Sequence, residues 1–380
     1  MKIKIHRGQD QIGGSIVEIS TKATKILIDF GEELSPHQKI DNALVLQGCD
    51  AVFFSHYHGD HIGLYKSIPL DIPIYLGGTA KQIFAELVSR TERESLPVVG
   101  RFSELAPLRI IQIGDIQITP LLTDHSAFDA YMFLVKADGK TILHTGDFRG
   151  HGYRSRGLMP TLRKYVGKVD VLITEGTCLS RTDNEVLSER QLQLKATALM
   201  HEKNYVFVLC SSTNIERIAA FYHANPRGRY FLCDSYQKNI LNIVTEASAG
   251  KSSLYDFKKA VIYGDNLEDR FLNRGFCMLV RNRDDHRSII DSYPPEDRLV
   301  IYSMWKGYLA GETQNEKLIQ FLNGIDYTYL HTSGHADAQT IESIINEVQP
   351  DFIMPIHTEN AKWFQEKYPR RTMNATEFNA

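Results

Sequence analysis

The amino-acid sequence predicts an α/β fold built from two modules, and three observations support this. Residues 1 to about 175 contain short apolar runs separated by turn residues, a pattern typical of strands in hairpins. After about residue 185, apolar runs alternate with amphipathic helical segments, which is typical of βαβ units around a parallel sheet. From about residue 325 the chain returns to the first pattern. We therefore predict a discontinuous first domain, 1–180 with 325–380, and an inserted domain at 181–324.

The first domain is predicted to consist mainly of strands, with one clear helix near residues 79–90 among them. Its apolar runs, in chain order, are SIVEIS, KILIDF, AVFF, IPIYL, RIIQI, IQITPLL, YMFLV, TILHT and DVLITE. In the last segment we expect strands at YTYLHT and DFIMPIH and helices at DAQTIESIINEVQ and NAKWFQEKY.

The inserted domain is predicted to hold a parallel sheet, because its strands are separated by helices long enough to cross over. The predicted strands are YVFVLC, YFLC, AVIY, FCMLV and RLVIY, and the predicted helices are NIERIAAFYHA, QKNILNIVTEA and LEDRFLN.

Composition limits the function only loosely. The formal net charge of −3 gives no bulk electrostatic reason to bind nucleic acid, so a polyanion would need a local basic groove. The five cysteines are odd in number and form no CxxC pair, which argues against a disulfide framework or a thiolate zinc site. There is no apolar stretch of signal-peptide or membrane-spanning length. We expect a cytoplasmic protein that does not enter a membrane.

The stretch SHYHGDH at residues 55–61 is the strongest chemical signal, since it carries three of the 14 histidines directly after an apolar run. Alternate residues of an extended segment point the same way, so His56 and His58 can reach one metal ion. A tight turn at Gly59 can direct Asp60 and His61 towards a second. Three further candidate ligands follow predicted strands: His125, Asp147 and His357.

These residues resemble the metallo-β-lactamase superfamily in the series HYHGDH, TDHS and TGDF. The stretches LITEGT, HTSGHA and PIHTE resemble motifs A, B and C of its β-CASP branch, and the likeness to ribonuclease J extends over nearly the whole chain. The resemblance implies an αββα sandwich with two metal ions at one edge and an inserted β-CASP-like parallel α/β domain.

The resemblance also assigns the ligands of the two metal ions. The first would be held by His56, His58, His125 and Asp147, and the second by Asp60, His61, Asp147 and His357, with Asp147 bridging the two. Zinc is the default metal for such a ligand set, and manganese tolerates the same ligands.

The activity implied is hydrolysis of phosphodiester bonds, in RNA or another single-stranded nucleic acid, by a hydroxide that bridges the metals. Among the catalytic candidates, His335 would donate a proton to the leaving oxygen and Glu175 would orient a histidine, while Asp60 also serves as a ligand. The candidate substrate-binding residues are Ser211, Ser212, Thr213, Asn214, His331, Ser333 and Gly334.

Several of these assignments have structural alternatives. An N-cap explains Ser211–Asn214 as well as phosphate binding does. A strand-end turn explains Asp29 as well as support of the ligands does. Arg149, Arg154 and Arg156 fit either a solvated loop or a groove for nucleic acid.

Two other functions remain open from sequence alone. One is a metallo-hydrolase of a small phosphodiester, thioester or other ester, because the same site can attack acyl carbon or phosphorus. The other is a non-catalytic relative that only binds nucleic acid. Homo-oligomerisation is likewise left open by the sequence.

Overall fold

The computed structural model describes residues 1–34, 40–181, 186–264, 273–311 and 313–380. The chain divides into two compact units, the first formed by Met1–Asn184 with Gly334–Ala380 and the second by Glu185–Ser333. The predicted helix LEDRFLN lies almost wholly outside the described residues. Within the described ranges, no helix is both long and apolar enough to cross a membrane.

Nineteen β-strands are formed by the described residues. In chain order they are β1 (Lys2–Arg7), β2 (Ile16–Ser20), β3 (Lys25–Ile28), β4 (Ala51–Phe53), β5 (Ile74–Gly77), β6 (Ser103–Leu105), β7 (Ile111–Ile113), β8 (Ile116–Leu122), β9 (Tyr131–Ala137), β10 (Lys140–His144), β11 (Val171–Glu175), β12 (Tyr205–Leu209), β13 (Tyr230–Cys233), β14 (Ala260–Ile262), β15 (Phe276–Val280), β16 (Arg298–Tyr302), β17 (Tyr327–Tyr329), β18 (Phe352–Ile356) and β19 (Glu377–Asn379).

The same residues form twelve α-helices and six short 3₁₀ helices. The α-helices are α1 (Asn42–Leu46), α2 (Gly59–Ile62), α3 (Gly78–Thr91), α4 (Leu96–Gly100), α5 (Leu158–Tyr165), α6 (Glu189–His201), α7 (Ile215–Ala224), α8 (Ser235–Ser248), α9 (Asp284–Asp291), α10 (Glu316–Leu322), α11 (Ala338–Val348) and α12 (Ala361–Lys367).

Two sheets form the centre of the first unit. Their strand orders are β19-β1-β2-β3-β4-β5-β6 and β18-β11-β10-β9-β8-β7. Alternate side chains of both sheets, among them Ile19, Phe53, Phe133 and Ile173, meet in one fully buried core. Helices α5 and α11 bury apolar faces against the second sheet, and α3 contacts β5 and β6 of the first. The predicted αββα sandwich is confirmed.

The second sheet brings several strand ends to one edge of the first unit. Strand β9 pairs antiparallel with both β8 and β10, while β10, β11 and β18 pair in parallel. The carboxyl ends of β8, β10, β11 and β18 therefore lie at the same edge. Polar residues that directly follow these strands are brought together without any long loop.

One parallel sheet forms the centre of the second unit, as the sequence predicts. Its strand order is β14-β13-β15-β12-β16-β17, and every pairing is parallel. The sequence had assigned YTYLHT to the first domain, after a boundary near 325. The structure differs, because β17 pairs with β16 and completes the sheet of the second unit.

Candidate metal centre

The segment after β4 supplies four candidate ligands within one short turn. His56 follows the strand, His58 is the N-cap residue of α2, and Asp60 and His61 lie in that helix. Gly31 packs against this turn so closely that a Cβ there would lie 1.8 Å from the backbone oxygen of Asp60. Glycine is therefore required at position 31 for the turn to sit where it does.

The remaining ligands follow the carboxyl ends of three strands of the second sheet. His125 lies after β8, Asp147 after β10 and His357 directly after β18. His357 has a left-handed backbone with φ of 51°, which is uncommon for a residue with a side chain. The sharp turn at this residue directs its ring into the cluster.

Three imidazole nitrogens form the first cluster. The His58 Nδ1 atom lies 3.0 Å from His56 Nε2 and 3.3 Å from His125 Nε2. Nitrogens bound to one tetrahedral zinc at about 2.0–2.1 Å would be about 3.3 Å apart. Asp147 Oδ2 lies 3.8 Å from His56 Nε2 and so reaches the same cluster.

The second cluster combines two histidines with two carboxylates. His61 Nε2 lies 3.2 Å from Asp147 Oδ2, and His357 Nε2 lies 3.0 Å from Asp60 Oδ2. His61 Nε2 and Asp60 Oδ2 are 4.0 Å apart. Asp147 thus contacts both clusters, so its carboxylate can be shared by two cations.

Two buried atoms of these clusters favour a cation at the centre. Among the described residues, Asp147 Oδ1 has no hydrogen-bond partner, and His61 Nε2 has only its 3.2 Å contact with Asp147 Oδ2, although both side chains are almost fully buried. Such groups are costly unless something satisfies them. Imidazole and carboxylate donors suit zinc and similar divalent ions, so the residues present fit a metal centre.

Asp29 orients two of the candidate ligands. Its carboxylate accepts hydrogen bonds from His61 Nδ1 (2.7 Å) and from the Ser55 hydroxyl (2.8 Å). Because that hydroxyl donates its one proton to Asp29, it accepts from His56 Nδ1 at 3.0 Å. In their neutral state, both histidines therefore present an unprotonated Nε2 to the centre, the form that binds metal.

Two other ligands are oriented in the same way. His125 Nδ1 donates to the backbone oxygen of Gly334 at 2.7 Å. The Thr177 hydroxyl donates to the His357 backbone oxygen (3.2 Å) and accepts from His357 Nδ1 (2.8 Å). Gly334 must be glycine for this contact, since a Cβ would lie 2.6 Å from the Ser126 hydroxyl.

The first cluster is held in the neutral state. Burial lowers the pKa of His58 to about 4. Burial, together with neighbouring histidines, also lowers the pKa of His56 and of His125 well below the ordinary value. Neutral imidazole is the metal-binding form, so little proton competition is expected in this cluster.

In the second cluster, the carboxylates favour positive charge on the groups that face them. Burial opposes a charge on His61 and His357, but neighbouring carboxylates, first that of Asp147, outweigh burial and raise the pKa of both rings. Burial likewise opposes ionisation of Asp60 and Asp147, yet the facing histidines lower the pKa of both carboxyls. A bound cation would supply the charge that these carboxylates attract.

Replacing Asp29 with Asn should weaken metal binding by about 10- to 100-fold, because the partners that orient metal ligands typically contribute that much. The Ser55 backbone N–H donates to one carboxylate oxygen (2.7 Å), while the Ser55 hydroxyl and His61 Nδ1 donate to the other. An amide would place its own N–H groups against one of these donors and so disturb the hydrogen bonds that orient the two ligands. Metal competition titration against a chromophoric chelator measures the change. An unchanged metal affinity would mean that Asp29 only stabilises the turn after β3, where its φ is 61°.

His335 and Glu175 lie beside the two clusters. His335 Nδ1 donates to Glu175 at 3.1 and 3.3 Å and lies 3.5 Å from Asp147 Oδ2. The Glu175 carboxylate is fully buried and accepts backbone hydrogen bonds from Phe148 (2.9 Å) and Thr177 (3.3 Å). The side chain of His335 is 20% exposed, whereas that of Glu175 is 0% exposed.

The candidate substrate residues before Gly334 belong to the second unit. Asn214 caps helix α7, since its side chain accepts from the Arg217 backbone N–H at 3.2 Å. The Ser211 and Thr213 hydroxyls are 3.2 Å apart in the turn before it. His331 Nδ1 accepts from the Arg217 guanidinium at 3.1 Å. The N-cap alternative thus applies to Asn214, and contact with substrate stays a proposal.

Arg149 has a different environment from the one the sequence suggested. Both alternatives, a solvated loop and a nucleic-acid groove, placed this side chain at the surface. In the structure it is 0% exposed and its Nε donates to Asp124 Oδ1 at 3.1 Å. The sequence did not reveal the partner, because nothing in TDHS indicates that its aspartate turns inward.

Comparisons with known proteins agree with this geometry. Residues 24–208 match the family described as beta-lactamase superfamily domain, and residues 327–371 match the Zn-dependent metallo-hydrolase RNA specificity domain. A ribonuclease J from Helicobacter pylori is 24% identical over 399 residues, covering 94% of this chain and 56% of its own length. An RNase J-like protein from Methanocaldococcus jannaschii is 31% identical over 202 residues, or 48% of this chain and 44% of its own.

A solved structure resembles the chain over its full length. The crystal structure of a protein of unknown function from Enterococcus faecalis V583 superimposes with a TM-score of 0.77 and covers 99% of both chains. At 21% sequence identity, this match supports the fold alone.

The chain therefore belongs to the metallo-β-lactamase superfamily of metal-dependent hydrolases. Within that superfamily it is a ribonuclease J-like protein of the β-CASP branch. It spans little more than half the length of the ribonuclease J proteins from Helicobacter pylori, at 56%.

Proposed function

We propose that this chain hydrolyses phosphodiester bonds in RNA, using two divalent metal ions, zinc by default, held in the centre described above. The observation that carries the proposal is the sharing of Asp147 by two ligand clusters, 3.8 Å from His56 and 3.2 Å from His61. RNA as the substrate is supported by the match of residues 327–371 to an RNA specificity domain and by the ribonuclease J relatives.

The ligand assignment follows the two clusters. His56, His58, His125 and Asp147 would hold one ion, and Asp60, His61, Asp147 and His357 the other. Bound there, the ions would neutralise the phosphate and lower the pKa of an attacking water. The protein itself would hold the ligands in fixed tautomers through Asp29, Gly334 and Thr177.

His335 is the proposed proton donor to the leaving oxygen. Its Nδ1 hydrogen bond to buried Glu175 fixes the ring and leaves proton exchange with the substrate to Nε2. Its partial exposure, 20% against 1% for His357, lets its edge meet a substrate while the ligands stay enclosed.

Contact with the RNA backbone is proposed for the polar residues of the second unit. Ser211, Ser212 and Thr213 precede helix α7, where hydroxyls and backbone N–H groups can donate to phosphate oxygens. His331 and Ser333 belong to the same group, and His331 is oriented by Arg217.

Chelation should abolish hydrolysis of end-labelled RNA, and added zinc or manganese should restore it. Purified protein would be incubated with this RNA, with single-stranded DNA and with a small phosphodiester reporter, before and after chelator treatment. The nucleic-acid products would be resolved by gel electrophoresis, and cleavage of the reporter would be followed by absorbance. Cleavage of the reporter alone would favour a small-substrate hydrolase, and inactivity on every substrate with metal bound would favour a non-catalytic relative.

A further inference from the structure

A buried ion pair links two of the loops that carry metal ligands. Asp124 directly precedes the candidate ligand His125, and Arg149 lies two residues after the candidate ligand Asp147. The Arg149 Nε atom donates to Asp124 Oδ1 at 3.1 Å, and both side chains are 0% exposed.

The same aspartate binds the second loop at two further points. Its Oδ2 accepts from the Gly152 backbone N–H at 2.8 Å, and its backbone oxygen accepts from the Arg149 N–H at 2.7 Å. Strand β9 lies between β8 and β10, so sheet hydrogen bonds do not join these two strands directly. With strands about 4.8 Å apart, the two loops start about 10 Å from each other.

We propose that Asp124 and Arg149 are positioning residues of the metal centre, which fix the spacing between His125 and Asp147. The inference rests on the metal centre proposed above and not on RNA as the substrate. Neither residue touches the reacting atoms, so both act through the ligands beside them.

The energetics of such a pair favour a role in geometry over one in stability. Two buried charges cost much desolvation energy, and a well-packed apolar pair is often as stable. Removing one partner, however, leaves a buried charge uncompensated. Changing Asp124 alone would therefore alter the charge balance directly beside the candidate ligands His125 and Asp147.

The test is the metal affinity of the Asp124→Asn variant, measured by Co²⁺ titration, with the visible spectrum as a report on coordination. We expect a dissociation constant for the first ion raised by about 10- to 100-fold and an altered spectrum. The matched control is Glu189→Gln, which makes the same acid-to-amide change opposite a buried arginine. Glu189 pairs with Arg217 at 3.0 Å, also with both side chains 0% exposed, in the second unit.

The control should lose stability but keep the metal affinity and spectrum of the unaltered protein. A wild-type affinity and spectrum in Asp124→Asn would overturn the inference, as would equal metal loss in Glu189→Gln. If Asp124→Asn does not fold, Arg149→Lys serves instead, because it keeps the charge but not the planar guanidinium. Normal metal binding by that variant would likewise contradict the proposal.

A double variant separates charge from position. Asp124→Asn with Arg149→Met removes both charges, so full recovery of metal affinity would show that charge balance alone matters and would reject positioning. A metal affinity that stays low in the double variant supports the positioning role. Because no RNA is needed, these outcomes are independent of the proposed nuclease activity, which the chelation experiment tests on the unaltered protein.

Discussion

An Asp147→Asn variant should lose metal and show RNA hydrolysis reduced by about 10³-fold or more. The Asp147 carboxylate contacts both ligand clusters, so its loss weakens the binding of both ions. Metal ions contribute several kcal/mol to stabilising developing charge, and each ~1.4 kcal/mol is tenfold in rate. Elemental analysis and single-turnover kinetics measure the two effects.

The matched control is Asp129→Asn in the same unit. Asp129 is also buried and accepts from the backbone N–H of Thr79 (2.9 Å) and from the Tyr131 hydroxyl (2.9 Å). In the described part of the chain, it has no hydrogen bond or ion pair with a candidate ligand. Its amide variant should lose about 1 kcal/mol of stability, as expected for a helix cap, and keep its metal. Retention of two ions by Asp147→Asn would contradict the shared-ligand assignment.

His335→Ala should lower kcat by about 10²- to 10⁴-fold while metal content stays at the level of the unaltered protein. General acid–base groups typically contribute that much, and the ring is more exposed than the enclosed ligands. Loss of metal in this variant would instead make His335 a ligand, since it also lies within reach of Asp147, at 3.5 Å.

Two companion variants sharpen this test. Glu175→Gln should reduce kcat less than His335→Ala does, because it only loosens the orientation of the ring through the 3.1 Å hydrogen bond. His223→Ala removes an exposed histidine of the second unit, whose ring contacts the Leu254 backbone oxygen, and should leave kcat and metal content unchanged. A pH–rate profile would show whether the alkaline limb, which an essential proton donor produces, disappears with His335.

The fold and the ligand-bearing turns are readable from sequence because their signals are local. His56, His58, Asp60 and His61 occupy one turn after an apolar run, and Asp147 directly follows another. Strand ends that share a sheet edge converge, so proximity along such an edge follows from topology. The αββα sandwich, which the resemblance to the metallo-β-lactamase superfamily implies, and the parallel inserted sheet, which the alternation of apolar runs and amphipathic helices predicts, are both confirmed.

Features that depend on residues distant in the chain could not be predicted from local sequence patterns. The environment of Arg149 depends on Asp124, 25 residues earlier in the chain. Strand β17 shows an alternating pattern, but three residues do not reveal which sheet they join. Strand β1 was not predicted, although Ile3 and Ile5 alternate with polar residues and are buried in the core of the sandwich.

The first unit is formed by two segments that are separated in the sequence by the second unit, which determines the order in which its ligands are synthesised. His335 and His357 come from the segment Gly334–Ala380, and β18 and β19 from the same segment add the outer strands of both sheets. A ribosome-bound nascent chain that has not yet released this segment holds only part of the ligand set. Within the residues of this sequence, the candidate ligand set is therefore complete only after the entire second unit has been made.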